Sequence, residues 1–152
     1  MYDCYNRNIN YLRISLTDKC NLRCTYCMPE KGRTFLTSDI LLSDEQIVQC
    51  VKVASELGIS KVRLTGGEPL LRKGVIGLVK SISDIKGIND IAITTNGVFL
   101  KHFAPHLAEA GLKRINVSLD TIDPKKYKDI TRGGNVHEVF EGINAARLYN
   151  LY

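Results

Sequence analysis

Four short segments of this chain alternate apolar and polar residues, and a helical pattern follows each of them. They lie at residues 11–16, 61–65, 90–94 and 114–119. Leu12, Ile14 and Leu16 alternate with Arg13 and Ser15, and Val62 and Leu64 with Arg63 and Thr65. Ile91 and Ile93 alternate with Ala92 and Thr94, while Ile115, Val117 and Leu119 alternate with Asn116, Ser118 and Asp120. Period two predicts strands with one apolar and one polar face. Between them, apolar residues recur at helical spacing. Ser43 and Gln46 form a capping box ahead of Ile47, Val51, Ala54 and Leu57, and Gly58 stops that helix. Val75, Leu78, Val79 and Ile82 mark a second helix, and Phe103, Leu107 and Ala110 a third that closes at Gly111. Asn135 opens a fourth, with Val136, Val139, Phe140, Ile143 and Leu148. This alternation predicts an α/β fold of parallel βαβ units with right-handed crossovers.

Two consequences bear on function. Strands of a parallel sheet covered on both faces read as nearly continuous apolar runs, and these do not. The helices claim the apolar face, so the other face looks into a polar lumen suited to a ligand. All strand C-termini of a parallel sheet lie at one edge. The unusual strings TDKCNLRCTYC, GGEP, TNG and LDT each follow a strand, so they must converge there. Four strands cannot close a barrel, and the last would present a bare edge. Residues 1–152 are therefore expected to be a single domain, incomplete at its C-terminus, from the front of a larger protein.

Five cysteines stand at positions 4, 20, 24, 27 and 50, and three of them fall within eight residues. The chain's start, MYDCYNRNINYL, lacks a secretory pattern, so a cytoplasmic location is expected. Clustered cysteines in that setting read as metal ligands rather than disulfides. The C-x3-C-x2-C spacing suits a [4Fe–4S] cluster with one iron open to a small molecule; a zinc loop and incidental buried thiols are the plainer readings. With 44% hydrophobic residues in 152, the chain can build a core, which excludes a disordered chain. No apolar run is long enough for a membrane span. A net charge of +5 without a polybasic block gives no indication of nucleic-acid binding, and suits a small anionic ligand.

C-x3-C-x2-C with Tyr26 before the last cysteine, together with Gly66-Gly67-Glu68-Pro69 after the second strand, resembles the radical S-adenosylmethionine superfamily. The strings INYLRISLTDKCNLRCTYCMP, KVRLTGGEPLLRKG, ITTNG, INVSLDT and ITRGG resemble, within it, the MoaA family of GTP 3′,8-cyclases that begin molybdenum-cofactor synthesis. The resemblance implies a partial parallel (βα) barrel of the TIM-barrel-like radical type, truncated after about four βα units. It implies that Cys20, Cys24 and Cys27 hold a [4Fe–4S] cluster whose open iron binds S-adenosylmethionine. Tyr26, Gly67 and Ser118 match positions that contact this cofactor, and Glu68 is expected to receive its ammonium group. Arg13, Arg63 and Thr94 match positions that bind GTP, whose 3′ hydrogen the 5′-deoxyadenosyl radical would abstract before ring closure at C8. On chain position alone, each arginine could equally pair with a nearby carboxylate.

The family also carries a second [4Fe–4S] cluster in a C-terminal part, and later strands with further substrate contacts, which residues 1–152 do not include. The segment alone is expected to be inactive. An electron donor is implied as a partner, and the oligomeric state stays open, a homodimer included. Two other functions compete: a peptide-modifying enzyme of the same superfamily, and an iron–sulfur module without catalysis. The remaining candidates have plain readings. Cys50 reads as a buried thiol on its helix's apolar face, Cys4 as a bystander, and His102 and His106 as surface residues. Asp120, Asp123 and Pro124 read as helix-entry residues, with the cavity rim as a second role for Asp120.

Overall fold

A computed structural model describes residues 2–32, 34–37 and 40–151. The strands are β1 (Tyr11–Ser15), β2 (Lys61–Thr65), β3 (Asp90–Thr95) and β4 (Arg114–Val117). The helices are α1 (Asp44–Glu56), α2 (Val75–Ser83), α3 (Leu100–Glu109), α4 (Pro124–Thr131) and α5 (Val136–Leu148), with a 3-10 turn at Pro69–Leu71. The strands form one parallel sheet in the order β1-β2-β3-β4. Right-handed crossovers between successive strands in this order send the connecting helices to the same face.

That face holds the core. Val62, Leu64, Ile91 and Ile93 are buried against Ile47, Val51, Leu78, Val79, Ile82, Leu100 and Leu107. Each strand's alternation has therefore sorted its side chains as expected. α3 and α5 approach closely: a Cβ at Gly142 would lie 2.5 Å from the Gly97 carbonyl oxygen and 2.9 Å from the Leu100 Cβ. The capping box forms, with the Gln46 amide donating to the Ser43 hydroxyl at 3.2 Å and the Ser43 amide to Gln46 Oε1 at 2.8 Å.

Some expectations fail. Cys50 is exposed, not buried, because α1 buries Ile47 and Val51 and turns its half-buried flank toward Val48 and Ser55. Leu57 caps α1 at 59% exposure, and Leu148 on α5 is 81% exposed; helical spacing misassigned both because each stands at a helix end, beyond the packed stripe. The stretch after β4 holds a complete helix, α4, whose N-cap Asp123 accepts the Lys126 amide at 2.8 Å. β4 ends at Val117, before Leu119, and β3 runs to Thr95. His102 and His106 lie exposed on α3, as expected.

Candidate functional site

The loop that leaves β1 carries Cys20, Cys24 and Cys27, and each of the other strands holds it at a separate point. β2 continues beyond Thr65 as a backbone ladder: the Gly67 amide donates to the Thr17 carbonyl at 2.7 Å and the Glu68 amide to the Lys19 carbonyl at 2.8 Å. The approach is so close that a Cβ at Gly67 would lie 2.3 Å from the Lys19 carbonyl oxygen. Gly66, at φ 142, would set its own Cβ 2.4 Å from the Thr17 oxygen. The GG pair is thus required by main-chain packing, since only a residue without Cβ lets two backbones meet this way.

From the end of β3, Asn96 Nδ2 donates to Asn21 Oδ1 at 2.8 Å and lies 3.8 Å from Cys20 Sγ. From the end of β4, Asp120 accepts the Tyr26 hydroxyl proton at 2.7 Å. This bond to a carboxylate raises the pKa of Tyr26 well above the ordinary phenol range. The end of α4 supplies a further hold, with the carbonyls of Ile130 and Thr131 accepting the amides of Thr25 and Arg23 at 2.9 and 3.2 Å. Arg72 ties the root of the loop to α1 through the Leu16 carbonyl at 2.9 Å and Asp44 Oδ1 at 2.6 Å.

Glu68 corrects one expectation. It is fully buried, and both carboxylate oxygens are taken: Oε1 accepts the Leu70 amide at 3.0 Å and the Thr95 hydroxyl at 2.8 Å, and Oε2 accepts the Asn96 amide at 2.8 Å. It joins the ends of β2 and β3 and, fully buried, presents no exposed oxygen to a ligand's ammonium group. Burial raises its pKa, against the three donors that favour the anion.

Burial also raises the Cys20 and Cys24 thiols, and the neighbouring thiols of the loop push Cys24 further. The Leu22 amide donates to Cys20 Sγ at 3.5 Å. Among the described residues, no three His, Cys, Asp or Glu side chains are grouped to hold one metal ion. A cubane makes a different demand, because each thiolate binds a separate iron and the donors need not meet at a point. Three soft thiolates on one braced loop fit such a cluster.

On the polar face of the sheet, Arg13, Arg63, Ala92 and Arg114 fall in one register row. Adjacent strands stand about 4.8 Å apart, so Arg13 and Arg63 are like charges side by side, which destabilises a sheet. Arg114 is neutralised by a forked pair with Asp90. Arg13 and Arg63 make no ion pair among the described residues; Arg63 lies over the Tyr11 ring at 5.6 Å, and its Nε is buried without a hydrogen-bond partner. Thr94, one row nearer the strand ends, also has a buried, unpartnered hydroxyl. Ser118 stands exposed just past β4, its amide donating to the Thr95 carbonyl at 2.9 Å. Sequence reading missed the roles of Asn96, Arg72 and the end of α4, whose only signals were the TNG, LLRKG and ITRGG strings.

The chain belongs to the radical SAM superfamily, whose family description matches residues 14–152. It is 58% identical over 146 residues to a GTP 3′,8-cyclase of Alkaliphilus metalliredigens, covering 96% of this chain and 46% of that protein. To the GTP 3′,8-cyclase of Thermodesulfovibrio yellowstonii it is 55% identical over 148 residues, covering 97% of this chain and 46% of the other. The chain thus spans about half the length of these relatives. Its fold is similar to Streptococcus suis SuiB bound to S-adenosylmethionine (TM-score 0.70, 22% identity, 93% of this chain and 31% of that one). It is also similar to methylornithine synthase PylB (TM-score 0.69, 18% identity, 93% and 42%). No helix among the described residues is long and apolar enough to cross a membrane.

Proposed function

We propose that this chain carries the cofactor-binding part, and a portion of the substrate face, of a GTP 3′,8-cyclase. In this reading Cys20, Cys24 and Cys27 hold a [4Fe–4S] cluster, one thiolate to each of three irons, with the fourth iron left for S-adenosylmethionine. A bound, reduced cluster would supply the electron for reductive cleavage of the cofactor's sulfonium, the source of the radical chemistry on GTP. The chain's own part is to position and to shield. Tyr26 on the cysteine loop, Gly67 just past β2 and Ser118 just past β4 would contact the cofactor. In this reading a second [4Fe–4S] cluster and further substrate contacts would come from chain outside residues 1–152. An electron donor completes the system.

The observation that carries the substrate assignment is the row on the polar face. Two adjacent arginines without acids among the described residues, one with a buried orphan Nε, are a cost to the sheet that an anionic ligand removes. Forked guanidinium contacts match phosphate oxygens, and the Thr94 hydroxyl can donate to or accept from the same nucleotide. A peptide without acidic groups would leave this charge unpaired.

The test is anaerobic reconstitution with iron and sulfide, followed by low-temperature EPR with and without S-adenosylmethionine. A reduced-cluster signal that changes with the cofactor and disappears in Cys24→Ala supports the reading; a wild-type chain without a cluster overturns it. In the full-length protein, formation of 5′-deoxyadenosine should depend on GTP. If it proceeds equally without GTP, the substrate assignment is wrong.

A further inference from the structure

One residue beside the cysteine loop holds a conformation that its side chain disfavours. Arg132, at the C-cap of α4, has φ 54 and ψ 53, in the left-handed region, although a glycine follows it directly. Glycine adopts this conformation freely, whereas a bulky residue keeps it where the surroundings impose it. Here the surroundings are the metal-ligating turn. Arg132 Nη1 donates to the Met28 carbonyl at 2.9 Å and reaches the Arg23 carbonyl at 3.3 Å. These carbonyls flank Cys24 and Cys27 on either side. Between them, the Cys24 carbonyl accepts the amides of Cys27 and Met28, both at 3.0 Å. The turn is therefore closed on itself and pinned at both ends by one guanidinium.

A second contact couples the same corner to the loop. A Cβ at Gly134 would lie 3.0 Å from Leu22 Cδ2, so the chain just past Arg132 packs against the buried side chain between Cys20 and Cys24. We propose that Arg132 is a positioning residue for cluster assembly: its left-handed backbone directs the guanidinium over the turn from Arg23 to Met28. Cys24 and Cys27 are thereby held in ligating order before iron arrives. This rests on the reading of the three cysteines as cluster ligands.

A plain helix cap and a clamp on the turn predict different results in the full-length protein. Arg132→Gly and Arg132→Asn both relieve the left-handed backbone while removing the guanidinium. The measurements are the melting temperature of the apo-protein, the rate of cluster assembly per folded chain, iron and acid-labile sulfide content, and the EPR g-values of the reduced state. The clamp predicts an unchanged or raised melting temperature, assembly slowed several-fold, and a shifted or broadened EPR signal. Arg132→Lys should recover part of the rate, because an ammonium group can still reach one of the two carbonyls. Assembly per folded chain at the wild-type rate with an unchanged EPR signal would overturn the clamp, whatever the melting temperature. Iron content and an EPR signal left unchanged by Cys24→Ala, so that every cluster taken up lies elsewhere, would instead overturn the ligand reading beneath it.

Discussion

At the C-terminal edge of the sheet, buried Glu68 accepts three hydrogen bonds, and Asn96, Asp120 and Arg132 each reach the cysteine loop. A few residues back along the same strands, Arg13 and Arg63 stand side by side with no acid paired to them among the described residues, where Arg63 Nε and Thr94 Oγ1 are also buried without partners. The edge satisfies its polar groups internally; the face does not. A loop that must present three thiolates gains from being ordered in advance, because the cost of ordering it is then met at folding rather than at metal binding. A face that receives a charged ligand keeps its donors open, at some cost to the apo-fold.

The largest expected effect falls on the edge. Gly67→Ala would press a Cβ against the Lys19 carbonyl, a backbone atom with little room to give. A loss of about 3 kcal/mol or more is expected by chemical denaturation, together with proteolytic sensitivity around residues 17–28. A wild-type midpoint would show that the loop is not fastened there. Next, Glu68→Gln keeps the shape but turns an amide NH2 toward at least one of three donors. The cost should be about 1–3 kcal/mol, and no loss would mean that these bonds contribute nothing net.

Tyr127 sharpens the contrast, since its hydroxyl is buried without a partner among the described residues yet belongs to α4 rather than to the sheet's polar face. Burial first, then the nearby Cys24, pushes its pKa up to about 12 from an ordinary 10. The folded chain thus disfavours the tyrosinate. The resulting stability is fully present below pH 10 and is lost progressively toward pH 12, by an amount on the order of 2 kcal/mol. Tyr127→Phe should flatten this alkaline slope and leave neutral stability equal or higher; an unchanged slope would contradict the assignment. The smallest stability effect is expected on the face. Arg63→Leu removes an orphan donor and a like-charge neighbour, so the melting temperature should hold or rise slightly. Nucleotide affinity should fall about ten- to a hundred-fold, as for a lost hydrogen bond to a charged group. Marked destabilisation with unchanged affinity would make Arg63 part of the structural frame instead.

Much of this was legible in the sequence where the cause is local. The strand period assigned Arg13, Arg63 and Thr94 to one face, and the capping box at Ser43 formed as its spacing requires. The cysteine spacing singled out the loop that the strand ends brace. Cys50 was misplaced because helical spacing gives a stripe's period but not its rotation, which neighbouring elements set. Glu68 was misread because the GGEP string says where the carboxylate lies along the chain and nothing about what encloses it.

The sequence by itself determined the four strands and four of the five helices, which face of each strand is polar, and which loop carries the thiols. These follow from periods of two and 3.6 and from short-range capping, all within a few residues. Only the tertiary structure decided which residues brace that loop. Asn96 meets Cys20 across 76 positions, Asp120 meets Tyr26 across 94, and Arg132 meets Met28 across 104. Such pairs have no periodic signature. They come together because parallel register brings every strand end to one edge, and hydrogen bonds of about 3 Å form only among the groups that this register places within reach.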